Sequence, residues 1–166
     1  DEDVETLVPG ASLDEAGAKL LESGPKAVVI TRGGEGAVLY RKGHVPMPIV
    51  APKIKVADTI GAGDTFTAGL SVALLNQGVV EAAQLGSLTD AAWFDVLSFA
   101  ATAAALNCTR EGANPPTLDE VLALLPHVRL VSSLAERDAS AETVNLLRFN
   151  VDDIIALAGA ENLHLD

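Results

Sequence analysis

The stretch Gly61-Ala62-Gly63-Asp64 constrains this chain most, because it joins an extended, proline-punctuated segment to the first turn of an apolar-periodic helix. Two glycines around an alanine let the backbone bend so that successive N–H groups aim at one point, where the helix adds the positive end of its dipole. The surrounding sequence reads as α/β. Residues 12–23 are predicted helical: Ser12 and Glu15 form a capping box, Leu13, Ala16, Leu20 and Leu21 share a face, and Gly24-Pro25 ends the helix. Residues 27–30 and 37–40 are short apolar, β-forming runs joined by Gly33-Gly34-Glu35-Gly36, which predicts two strands and a glycine turn. Residues 44–56 hold three prolines among β-formers and predict an edge strand or extended segment.

Helices follow. Residues 63–77 place Phe66, Leu70, Ala73 and Leu74 at core spacing, with Gly78 as terminator. Residues 90–108 predict a long helix with a small, alanine-rich face along 100–105, where a neighbouring element or a flat ligand can come close. Trp93, Phe94 and Cys108 read as core residues of that helix. Thr117 and Glu120 cap a further helix closed by Pro126, and residues 140–147 and 151–158 suggest two short helices beyond it. One unit over 1–125 with a helical tail over 126–166 is the expected organisation.

Composition narrows the functions open to such a fold. With 166 residues, 49% of them apolar, the chain can bury a core, and no continuous apolar run approaches the ~20 residues that cross a bilayer. Its acidic start lacks the pattern of a signal peptide, so the cytoplasm is the expected location and no membrane partner is expected. A formal net charge of −12 disfavours nucleic acid. A single cysteine and three scattered histidines give no disulfide and no zinc framework. Neither GxxxxGK[ST] nor a helix-opening GxGxxG is present, which argues against a P-loop NTPase and a dinucleotide fold.

Two readings fit the glycine turn on its own residues. In one, Gly61, Ala62 and Gly63 present amides to an anion, and Asp64 takes a proton from a hydroxyl that attacks a bound phosphoryl group. In the other, the glycines make a tight turn and Asp64 only favours the helix dipole, worth ~0.3–1 kcal/mol. The residues alone leave both open.

Asp58-Thr59-Ile60-Gly61-Ala62-Gly63-Asp64-Thr65-Phe66 resembles the DTxGAGD signature of the PfkB/ribokinase carbohydrate kinases. The resemblance implies that Asp64 is the catalytic base, that the Gly61, Ala62 and Gly63 amides form an anion hole, and that Asp58 lies near a monovalent-cation (K+) site. Residues 29–37 are similar to the family's V-T-x-G-x-x-G segment, which implies that Thr31, Gly33, Gly34 and Gly36 border nucleotide phosphates. Residues 99–115 resemble the helix and loop beside the adenine, which implies nucleotide contacts from Ala101, Ala105 and Gly112; ribokinases tend to carry an asparagine where Ala101 stands. The acidic start is similar to the end of an N-x-x-E segment, placing Asp3 near Mg2+.

The implied fold is the C-terminal portion of a ribokinase-like three-layer α/β/α sandwich. The implied activity is ATP-dependent, magnesium-assisted phosphorylation of a sugar, fructokinase-like in flavour. A non-catalytic nucleotide-binding module and a nucleoside kinase are the alternatives. The family's central sheet is mostly parallel and covered on both faces, so this portion is expected to show an open strand edge, met by a missing N-terminal half or a second copy.

Overall fold

Short apolar runs joined by a few residues pair with their neighbours, and a connection of that length permits only antiparallel pairing. The computed structural model describes residues 2–125 and bears this out. Strand β1 (Ala27–Thr31) pairs antiparallel with β2 (Ala37–Arg41), and β2 with β3 (Met47–Ile49), in the order β1-β2-β3. A single 3-10 turn, Gly33–Glu35, connects the first two strands. These three strands are therefore an antiparallel meander, where the family likeness had suggested a mostly parallel sheet. Pro48 sits in edge strand β3, where a missing N–H is tolerated.

Alternation along β2 distributes its side chains to two layers. Val38 and Tyr40, with Ile30 of β1, pack against Leu13, Leu20 and Leu21 of helix α2 (Leu13–Glu22). Ala37 and Leu39 face the opposite layer, α3 (Ala62–Asn76) and α4 (Asp90–Cys108), through Phe66, Trp93 and Leu97. A sheet covered by helices on both faces is the three-layer α/β/α arrangement. Helix α2 has the expected capping box, with Glu15 Oε2 accepting from the Ser12 N–H at 2.8 Å. Tyr40 donates to Asp14 Oδ1 at 2.9 Å, a polar clasp between the sheet and α2; burial, reinforced by that carboxylate, pushes the phenol pKa up.

The other helices follow the sequence closely. Helix α3 begins one residue earlier than predicted, with Gly78 in left-handed conformation just beyond its end. Helix α4 matches residues 90–108 and is capped by Thr89, whose hydroxyl accepts from the Ala92 N–H at 3.1 Å. It is apolar and long enough to meet the length and composition of a membrane span, although its continuous apolar runs are short, but two-thirds of it is buried inside the protein. Helix α5 (residues 118–125) carries the Thr117–Glu120 capping box. Helix α1 (Glu2–Leu7) was not foreseen, because six residues carry too little periodicity to register. The two helices expected within 140–158 and the proposed tail lie outside the described residues.

Strand β2 is buried throughout, whereas Ala27, Val28 and Val29 of β1 are only half-buried. The outer edge of β1 meets no strand among the described residues. The expected open edge is present.

Candidate active site

The turn before α3 is set by one backbone conformation. Gly61 caps the helix with φ 76° and ψ 4°, a left-handed geometry that costs a residue with a Cβ about 1–2 kcal/mol. A Cβ there would also lie 2.9 Å from that of Ala113. Glycine is therefore required twice over. The Ala62 N–H closes the turn on Thr59 O at 3.2 Å, so of the three expected amides this one already has an acceptor. The Gly61 and Gly63 N–H groups donate to no acceptor among the described residues. Both stand at the mouth of the helix dipole.

Behind this turn lies a bracket that the sequence did not announce. Asp58 accepts from the Ile60 N–H at 3.0 Å through Oδ1 and from the Gly112 N–H at 2.9 Å through Oδ2. These bonds, the Ile60 amide first, hold its carboxyl pKa below the ordinary range. The Cys108 carbonyl accepts from the Ala57 and Asp58 N–H groups at 2.8 and 3.3 Å, and Asn107 Nδ2 donates to Ile60 O at 2.8 Å. The end of α4 and the loop after it thus grip the turn from behind. An ion pair between Arg110 and Glu120 ties that loop to α5.

Two adjoining cavities open in front. The mouth, about 450 Å³, is walled by Gly61, Gly63, Asp64, Thr67 and Leu70, with Val29 and Thr31 of β1 opposite. Asp64 is exposed there, in the first turn of α3 beside the two unpaired amides. The chamber, about 220 Å³, runs between the glycine turn and α4. It brings together Thr31, Gly33, Gly34, Gly36, Ala101 and Ala105 from two separate stretches of sequence. Ala62, Gly63 and Phe66 belong to both walls, so the helix mouth is where the cavities meet. Cys108 also faces the chamber; burial, with the Asp58 charge second, pushes its thiol pKa up, making it a wall rather than a nucleophile.

Three expected site residues lie elsewhere. Asp58 and Gly112 bond to each other behind the mouth and line neither cavity, and Asp3 falls in α1. No group of three acidic, histidine or cysteine side chains among the described residues converges to hold a metal ion. Asn107 was missed in the sequence, where its one signal was a polar amide in the otherwise apolar run before Cys108.

The three layers, with a helix mouth opening on a cleft at the sheet's edge, define a portion of a ribokinase-like α/β domain. Residues 5–120 match the model of the pfkB family carbohydrate kinases, and the chain belongs to that family. It is 37% identical over 92 residues to a fructokinase of Rhizobium leguminosarum bv. trifolii, covering 55% of this chain and 28% of that protein. Among solved structures it resembles the Arabidopsis thaliana ribokinase complexed with ribose and ATP, at 31% identity and TM-score 0.60, over 75% of this chain and 38% of that one. A fructokinase from Xylella fastidiosa with bound ATP superposes with TM-score 0.68 at 25% identity, over 76% and 40%. The chain thus spans between a quarter and two-fifths of the length of these relatives.

Proposed function

We propose that this chain provides the phosphoryl-transfer site of an ATP-dependent sugar kinase, fructokinase-like in its acceptor, with Asp64 as general base. The observation that carries this is the junction of the two cavities at the start of α3. A nucleotide lying along them has its base in the apolar chamber against Ala101 and Ala105, and its phosphates beside Thr31 and the glycines at 33, 34 and 36. Its terminal phosphoryl group then stands before Gly61 and Gly63, and an acceptor hydroxyl enters from the mouth.

The acceptor's oxygen forms a bond to the γ-phosphorus as its proton passes to the Asp64 carboxylate. The bond from γ-phosphorus to the bridging oxygen breaks, and ADP leaves with that electron pair. Charge growing on the transferred group is met by the two free amides and the helix dipole, donors already in place before the reaction. In a chain of net charge −12 such local geometry is what holds a phosphate.

Magnesium supplies neutralisation of the phosphates when it is bound with the nucleotide. Among the described residues the carboxylate lining the mouth is Asp64, which is assigned to the proton, so magnesium would be held chiefly by phosphate oxygens and water. A monovalent cation at Asp58 fits less well, since each carboxylate oxygen there already accepts a main-chain N–H. We assign the surface that holds the sugar to polypeptide beyond residues 2–125 or to a second copy, and the location to the cytoplasm.

Because the chain spans under half of its relatives, a second reading stands beside the first: a nucleotide-binding module that transfers nothing. Calorimetry with ATP and magnesium, then transfer assays on fructose, ribose, 2-keto-3-deoxygluconate and a riboside, separate the two. Transfer that Asp64→Asn lowers by ~10²–10⁴-fold supports the kinase. Nucleotide binding without transfer to any acceptor selects the module, and transfer that survives Asp64→Asn removes the assigned base.

A further inference from the structure

We infer that Asn107 is a positioning residue for this reaction, aiming the Gly61 main-chain N–H into the mouth by holding the carbonyl of the same peptide unit. The inference rests on the proposed anion-binding role of that amide. A trans peptide is planar, with its C=O and N–H pointing in opposite directions, so fixing one fixes the other. Asn107 Nδ2 donates to Ile60 O at 2.8 Å from 47 residues away, and that carbonyl belongs to the Ile60–Gly61 peptide. The N–H of Ile60 is held separately by Asp58 Oδ1 at 3.0 Å. Both peptide units around Ile60 are therefore pinned from behind, leaving the Gly61 N–H directed forward.

Burial makes this bond count. Asn107 is 0% exposed, and its Oδ1 has no hydrogen-bond partner. Leaving a buried amide oxygen unpaired is unfavourable, and an apolar residue would avoid that cost. What the amide adds is its Nδ2 donor. Asn107 lies one turn beyond Ala103 and Ala104 on the helix whose Ala101 and Ala105 wall the chamber, so the element that receives the base also aims the amide.

The test is a titration of the whole chain with inorganic phosphate, following the ¹H–¹⁵N resonances of Gly61 and Gly63 in the wild type, Asn107→Asp and Asn107→Ser. The wild type is expected to show saturable shifts of both amides. In the variants the Gly61 response should fall at least fivefold while that of Gly63 persists, and kcat should drop about ten- to a hundredfold with KM for ATP within threefold. If Asn107→Asp does not fold around its buried charge, the shorter, neutral Asn107→Ser decides. A Gly61 response kept in the variants overturns the inference alone. Loss of both responses also overturns it, because Asn107 then supports the fold rather than one amide. Silence of both amides in the wild type removes the anion-hole reading, and this inference with it.

Discussion

Helices α3 and α4 cross each other, and both are apolar enough that sequence alone would treat them alike, yet they are used in opposite ways. Of the 15 residues of α3 only four are buried, whereas 12 of the 19 in α4 are. Helix α3 acts through its end: its first turn carries Asp64 and the open amides, and much of its flank faces solvent. Helix α4 acts through its sides, filling the core with Trp93, Val96 and Leu97 while its small residues wall the chamber. In the proposed mechanism chemistry is thus concentrated where a helix begins, and stability lies where one runs on.

That contrast is most open to attack at Asp64. Asp64→Asn is expected to remove ~10²–10⁴-fold of turnover while the denaturation midpoint stays nearly unchanged, since an exposed first-turn carboxylate contributes at most ~1 kcal/mol through the dipole. A large loss of stability would mean that α3 is a core helix after all. Trp93→Ala should behave in the opposite sense. Its ring is 2% exposed and lies under the Arg41 guanidinium at 5.9 Å, so urea unfolding should report a loss of about 3–5 kcal/mol.

The crossing point sharpens the comparison. A Cβ on Gly69 of α3 would stand 3.2 Å from the Ala100 Cα of α4, so Gly69→Val has to separate the helices. A destabilisation of about 1–3 kcal/mol is expected, with weakened nucleotide binding by calorimetry because the chamber lies along the same helix. Little change in either quantity would show that the two helices give way independently.

The smallest effect expected is at the bracket between them. The Asp58 carboxyl pKa is lowered in the folded chain, so its tether is complete above the unfolded value of about 4 and is lost as pH falls through the lowered folded value. The Ile60 and Gly112 amide resonances should move together in that acid window, and Asp58→Asn should abolish the transition. Because the group is solvent-accessible, the accompanying change in stability should be small.

Much of this was legible along the chain because it depends on near neighbours. The Ser12–Glu15 and Thr117–Glu120 boxes, the limits of α4 and the glycine end of α3 are each decided by contacts within a turn or two of helix. The turn at 61–64 was legible for the same reason. Helix α1 was too short to show, and which helices cover each face of the sheet needed the packing partners to be known. Asn107 escaped notice because a buried amide in an alanine-rich helix has no meaning until the carbonyl it meets, 47 residues earlier, is in place.

The sequence by itself determined helices α2 to α5, the glycine turn and the identity of the carboxylate at its mouth, since backbone preference and capping are properties of adjacent residues. Only the tertiary structure decided that Asp58 faces backward to Gly112, and that the chamber and the mouth share a wall. Those facts depend on the end of α4 meeting the start of α3, and packing across the fold, not order along the chain, brings such ends together.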